Sequence, residues 1–399
     1  MLAAHPSDKA GLPDRQAGGW TNMFITRLRP EMKELYGFSL LYSFAFALIT
    51  ILEPVFFYKE GFSLSFIALY YALHYTVYAG VLPLGGKFAS RFGLERSLTL
   101  SLPLFVAYFL VLAAVPSNHD LIWLAIVFLT CQKIFYWPAF HTSLAKFGQS
   151  GNRGTELSWL RVLSFAGTIL GPLIGGFVAR YFGFPVLFIF TAVVVLFSAI
   201  PLLKTKEKYR PGHFSYLDPW KIIISRQYRN MTVAMAGMGE DLINLVYWPI
   251  FLFIVLGSTD RLGLISSLTI AVMTLMSFFV GELSDRFPRQ YILRLHIPFL
   301  VLSHLFRPLT ATPIQAVLTD MLAKVSYTGV NIPMLYRLYV QGQRAGLLRY
   351  MVAFETVLAI AKALTAFMLV VVFAVLLPYP AFMFTFAAAA VLALLYAFL

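Results

Sequence analysis

A chain of 399 residues that is 59 % hydrophobic and only 12 % charged cannot present a water-soluble surface, since soluble domains carry about a quarter charged residues. With a mean hydropathy of +0.77 it requires the bilayer as solvent, which excludes a soluble enzyme or binding module. The formal charge of +13 does not point to nucleic acid, because the basic residues gather in alternate short connections, as expected of a membrane protein.

The first 34 residues form a polar, mixed arm without the apolar run and small-residue cleavage pattern of a signal peptide. Six apolar segments follow at 35–57, 64–85, 97–115, 120–144, 156–179 and 184–203. Each approaches the roughly 20 residues needed to cross the hydrocarbon core. A polar stretch, 204–230, opens with KTKEKYRPGH, and its Asp218-Pro219-Trp220-Lys221 suits a helix start. We expect a short surface helix there, with Trp220 at the interface. Six more segments occupy 231–256, 262–283, 291–310, 313–337, 350–372 and 377–399. An even count of twelve places both ends on one side. Twenty-three Lys and Arg fall on that side, against Lys59, Arg180, Arg261 and Arg307 on the other, so both termini are expected in the cytoplasm. A bacterial inner membrane is the expected location, and a monomer the expected state.

The two sets of six spans carry matching residues. Gly86, Ser90, Arg91 and Gly93 follow span two as Gly281, Asp285, Arg286 and Pro288 follow span eight, and Pro54 matches Pro249 at the same offset of 195. Further on, an offset of 191 relates Lys133 to Lys324, Tyr136 to Tyr327 and Gly151-Asn152-Arg153 to Gly342-Gln343-Arg344. Six spans between copies preserve the insertion direction, giving parallel repeats about an axis along the membrane normal. The expected fold is therefore all-α and integral to the membrane. It has twelve helices in two pseudo-symmetric bundles, 35–203 and 231–399, joined by the 204–230 linker.

This arrangement resembles the major facilitator superfamily, whose loop signature is a glycine, an acid four residues on, an arginine, a glycine and further basic residues. The second copy keeps Gly281, Asp285, Arg286 and Arg289. The first keeps Gly86, Arg91, Gly93 and Arg96 but has Ser90 at the acid position. The resemblance implies that these loops act as conformational latches. Span five contains Gly167, Gly171, Pro172, Gly175 and Gly176, similar to the family's antiporter signature, which implies export. Read from the residues alone, the same glycines make a smooth face for close helix packing, and the proline bends the helix. Span eleven lacks the pattern and places Lys362 opposite Gly171.

Charged residues at membrane depth are expensive and mark functional positions. Lys133 and Lys324 lie near mid-depth in spans four and ten, each three residues before a tyrosine, Tyr136 or Tyr327. Glu240 and Asp241 belong to span seven, Glu53 to the outer part of span one, and Arg161 and Glu355 to the inner parts of spans five and eleven. In folds of the resembled family, spans one, four, seven and ten line the cavity, so both lysines are candidates to face it. They contact a solute or a coupling carboxylate, or else pair permanently with an acid. Glu240, Asp241 or Glu355 is a candidate to carry a proton, since neutralising a carboxylate lets it move through a low-dielectric gate. Tyr136, Trp137, Tyr247, Trp248, Tyr327 and Asn331 offer aromatic area and hydrogen bonds to an amphipathic solute. His74 is a relay or a hydrogen-bonded packing histidine. His296 and His304 lack ligand-spaced carboxylates or cysteines, so no metal is expected, and the single Cys131 excludes an intramolecular disulfide. There is no nucleotide-binding loop or nucleophile triad, so no enzyme and no cofactor are expected.

The leading expectation is a secondary transporter exporting a small organic solute against protons. The alternatives are proton-coupled uptake of a polar or anionic nutrient, and a transport-dead sensor on the same fold.

Overall fold

The computed structural model describes residues 30–147, 154–204 and 212–399, with side chains over 37–145, 165–202, 212–283 and 286–399. Every span is helical, and most deviations from straight α-helix sit at prolines and glycines. Span one is interrupted. Helix α1 (Pro30–Ile49) yields to a tight turn and then to α2 (Glu53–Lys59), which has Pro54 in its first turn. Proline lacks an amide hydrogen, so it is tolerated there but could not have continued the ladder of α1. Spans two to six are α3 (Leu64–Phe92), α4 (Leu94–Ala114), α5 (Leu121–Phe147), α6 (Gly154–Tyr181) and α7 (Phe184–Lys204). The connection then contains α8 (Asp218–Ile224), beginning at the acidic residue and proline that predicted it, with Trp220 half-buried.

Span seven is the most irregular. It runs through α9 (Arg229–Ala236), a 3-10 turn at Gly237–Gly239, α10 (Glu240–Leu242), a π segment at Ile243–Tyr247 and α11 (Trp248–Leu256). Such π segments recur at functional sites. The chain finishes with α12 (Thr259–Arg286), α13 (Arg289–Phe306), α14 (Pro313–Ala345), α15 (Leu347–Val375) and α16 (Pro378–Leu394). Among the described residues, ten helical spans are long and apolar enough to cross a membrane. The 28-residue α6 and the 33-residue α14 are also long enough, and α14 turns its Asp320 inward.

Helix ends differ from the sequence reading at the latch motifs. Gly86 and Arg91 lie inside α3, which stops only at Gly93 with φ 110°, and Gly281 and Arg286 lie inside α12. The apolar run ends before the backbone ladder does, so hydropathy locates the membrane boundary and not the helix end. For the same reason α14 continues to Ala345, beyond the expected 337.

Pairings repeat between the halves. Helix α1 packs on α6 as α9 and α10 pack on α15; α4 packs on α5 and α7 as α13 packs on α14 and α16. The halves meet where α3 packs on α15 and α6 on α12. Ser65 Oγ donates to the Val370 carbonyl at 2.8 Å near one end of the first seam. A Cβ on Gly86 would fall 2.6 Å from the Phe214 ring and 2.8 Å from Val352 near its other end.

The span-five glycines form contact faces. A Cβ on Gly171 would lie 2.5 Å from Ala47 Cβ, and one on Gly175 would lie 2.2 Å from the Leu48 carbonyl oxygen. Gly167 also faces α1, its Cβ position lying 3.1 Å from the Leu40 carbonyl oxygen. Gly176 turns to the second half, with its Cβ position 2.4 Å from the Thr259 carbonyl oxygen and 3.1 Å from Gly263 Cα. The Thr259 hydroxyl donates to the Gly176 carbonyl at 3.1 Å. In the second half the close approach is made from the other helix: Gly239 in span seven meets Thr365 Oγ1 of α15 at 2.6 Å from its Cβ position.

Gly175→Ala is expected to lower the apparent melting temperature in detergent, because the Leu48 carbonyl is backbone and cannot swing aside; overpacking of this kind costs about 1–3 kcal/mol. Gly281→Ala adds the same methyl where nothing lies within 4 Å and is expected to be neutral or mildly stabilising. Equal melting of the two variants would remove the close-packing explanation.

Candidate functional site

Between the halves lies a cavity of about 350 Å³, bounded by spans one, four, five, seven, eight, nine and ten. Its two walls differ in chemistry. The first-half wall is aromatic: Tyr42 and Phe46 come from α1, and Tyr136, Trp137 and Phe140 from α5. Tyr42 and Tyr136 stack at 4.3 Å between centroids, 15° from parallel, and Gln132 Nε2 donates to Tyr42 Oη at 3.0 Å. The second-half wall brings Asp241, Asn244, Trp248, Arg307, Asp320, Lys324 and Tyr327.

One ion pair organises that wall. Asp320 and Lys324 are four apart on α14 and therefore share a helix face, with Lys324 Nζ 2.6 Å from Asp320 Oδ2. Lys324 also donates to Thr269 Oγ1 at 2.7 Å, and that hydroxyl donates to Asp320 Oδ2 at 2.5 Å. Trp248 Nε1 donates to Asp320 Oδ1 at 2.9 Å. Asp320 is almost fully buried, so these three donors replace the water it has lost.

The irregular turns of span seven place its adjacent acids in different surroundings. Glu240 is fully buried between His304 Nε2, at 2.5 Å, and Tyr396 Oη, at 3.0 Å. Asp241 lines the cavity and meets Lys362 Nζ at 2.5 Å.

Lys133 does not share the position of Lys324. It is half-buried, outside the cavity lining, with Nζ 3.4 Å from Tyr75 Oη and 4.9 Å from that ring's centroid. Lys362 lies 5.4 Å from the same ring, so Tyr75 stands between ammonium groups from the two halves. The expectation that both lysines face the cavity is thus met by Lys324 alone. The reason is local: 191 residues before Asp320 stands Leu129, so Lys133 has no acid one turn away.

The remaining candidates are dispersed. Glu355, nearly buried, accepts from Tyr78 Oη at 3.1 Å and lies 3.2 Å from His141 Nε2, so an acid of α15 meets groups of α3 and α5. Glu53 accepts from Tyr71 Oη at 2.9 Å, away from the cavity lining. Asn331 lies further along α14, also outside the lining. Of the latch residues, Arg91 is exposed beside the Phe92 ring, and Arg286 is exposed and paired with Glu282 at 2.5 Å. The side chains of Arg161 and Asp285 and the segment Gly151–Arg153 lie outside the described residues. His74 Nδ1 lies 2.9 Å from Thr130 Oγ1, and its Nε2 is buried with no hydrogen-bond partner among the described residues. His296 Nδ1 donates to the Ile292 carbonyl at 2.8 Å.

Asp320, Arg307, Thr269, Tyr75 and His141 were not singled out from the sequence. The Asp320-to-Lys324 spacing was a readable signal. Arg307 counted among residues of an outer connection, and nothing local distinguishes it from a surface arginine.

The sequence profile of the Major Facilitator Superfamily matches residues 35–338. The chain belongs to the major facilitator superfamily. A stretch of 118 residues is 31 % identical to "Multidrug resistance protein MdtG" of Proteus mirabilis (strain HI4320); it covers 30 % of this chain and 29 % of that relative. Among solved structures of the same fold, the nucleoside transporter NupG superposes with a TM-score of 0.69 at 13 % identity, covering 92 % of this chain and 98 % of that one. A D-xylose-proton symporter superposes with a TM-score of 0.64 at 16 % identity, covering 91 % of this chain and 96 % of that one. In this superfamily member, then, the pseudo-symmetric packing of the helices is a property of the shared fold.

Lys324→Ala leaves Asp320 buried without its ammonium, and removing one partner of a buried pair costs about 3–5 kcal/mol. The double variant Asp320→Ala/Lys324→Ala is expected to melt above Lys324→Ala alone, although it has lost more atoms. Additive losses in the two single variants and their combination would show that the pair is not coupled.

Proposed function

We propose that the chain is a secondary transporter that carries a small organic solute through the central cavity by alternating access and takes it up together with protons. The cavity has the size of a small-molecule site, and its pattern of apolar lining with a few placed polar groups suits one. The aromatic wall takes a ring or apolar face, and the second-half wall takes the polar edge. In this reading both termini are cytoplasmic in a bacterial inner membrane, the protein acts as a monomer, and no cofactor is needed.

The observation that carries symport is the separation of two kinds of carboxylate. Asp241 and Asp320, which line the cavity, each hold a lysine, so their charge is already compensated. Glu355 faces a hydroxyl and an imidazole, is absent from the lining, and links α15 to α3 and α5. A proton there does not compete with a solute for the same atoms, so the two can travel together. Neutralising Glu355 would change the contact between the halves and so couple proton binding to their movement. The loop signatures at the ends of α3 and α12 then serve as latches, and Lys133, facing Tyr75 beside Lys362, contributes to the seam. Export by antiport is the second reading, favoured by the partial match to the Proteus mirabilis multidrug resistance protein and by the span-five glycines.

Flux into proteoliposomes distinguishes the two, using labelled nucleosides, sugars, organic anions and amphipathic cations. Symport predicts accumulation driven by outside acid and abolished by a proton ionophore. Glu355→Gln should lose this gradient-driven accumulation yet retain solute counterflow. Accumulation driven only by inside acid would establish antiport in its place, and unaltered coupling in Glu355→Gln would move the proton site elsewhere.

A further inference from the structure

Arg307, just beyond α13, is only 2 % exposed, yet its side chain reaches the cavity lining. Nη1 donates to Asn244 Oδ1 at 2.5 Å, and the guanidinium carbon stands 4.6 Å from the Trp248 ring centroid and 5.7 Å from that of Phe386. Trp248 is itself anchored through Nε1 to Asp320, so the guanidinium rests on a fixed aromatic surface.

Its charge is uncompensated at close range. Among the described residues Arg307 has no carboxylate within ion-pair distance, and its Nε has no hydrogen-bond partner. Of the acids whose charges act on it, Asp320 already holds Lys324, and Glu240 is hydrogen-bonded to His304 and Tyr396. The remaining lining acid, Asp241, holds Lys362. A guanidinium buried in protein with a donor to spare is costly to leave unpaired, and its planar fork matches a carboxylate through two parallel hydrogen bonds. The same cavity offers the stacked Tyr42 and Tyr136 as a flat apolar surface.

We infer that Arg307 is the anion subsite of the cavity: it binds the carboxylate of an organic monoanion whose flat body lies against the aromatic wall. This rests on the reading of the cavity as the solute site and narrows its substrate class. Asn244 acts as a positioning residue, holding Nη1 so that the guanidinium is kept against the Trp248 ring. Lys324 is not the anion site, because its charge is spent on Asp320.

The test uses the full chain in detergent and acid/amide pairs with the same body, beginning with 4-hydroxybenzoate and 4-hydroxybenzamide and extending to indole and cyclohexyl pairs. Binding is read by tryptophan fluorescence and by ligand-dependent melting. The carboxylate of at least one pair is expected to bind about tenfold or more tightly than its amide. Arg307→Gln should erase that preference and Arg307→Lys should keep part of it. Equal binding within every pair, or no binding by any pair, overturns the inference with the wild-type protein alone, whether or not the variants fold. A preference that survives in folded Arg307→Gln overturns it as well. Carboxylate binding without gradient-driven flux would support the subsite and count against the transport reading. Flux confined to neutral solutes would leave transport standing and discard the subsite.

Discussion

A charge at membrane depth has no water to turn to, so each one must be met by protein, and this constraint shapes the second half of the molecule. Asp320, Lys324, Thr269 and Trp248 tie α14 to α12 and α11. Asp241 and Lys362 tie span seven to α15, and Glu240, His304 and Tyr396 join spans seven, nine and twelve. Broken pairs of this kind are penalised heavily, so the network sets how these helices sit relative to one another. The first half reaches the same end with weaker bonds: Glu53 to Tyr71, Gln132 to Tyr42 and His74 to Thr130.

The seam between the halves is built differently from either interior. Along α6 and α12 backbone approaches backbone across Gly176 and Gly263, with Phe165 edge-on to Phe278, and along α3 and α15 Ser65 donates to Val370 while the Tyr75 ring stands beside Lys362. The Glu355 contact with Tyr78 and His141 is polar and crosses this seam, which is the position on which the proposed proton coupling rests.

The repeat explains both the symmetry and its failure. Duplicated helices keep their packing partners because those depend on apolar faces and small residues spread over whole spans. A charge constellation depends on single positions. Leu129 in place of an acid is enough to send Lys133 to the Tyr75 ring, while Lys324 closes on Asp320. The glycine contact likewise lies on span five in the first half and on span seven in the second, where Gly239 supplies it.

Much of this was legible in the chain. Composition and the length of the apolar runs determined an all-α membrane fold, because only helices satisfy backbone hydrogen bonds in lipid without a closed barrel. The 191- and 195-residue offsets revealed the duplication, and Pro54 and the Asp218-Pro219 pair marked helix starts. Helix ends at Phe92 and Arg286 were not legible, since hydropathy reports lipid contact and a backbone ladder continues beyond it. Nor was the partner of each charge. Glu240 and Asp241 are adjacent in sequence but face His304 and Lys362, and Arg307 looks like a loop arginine until α13 and span seven enclose it. Periodicity along one helix determines what that helix buries. Which group neutralises a buried charge depends on residues dozens to hundreds of positions away, and only tertiary packing brings them within hydrogen-bond distance.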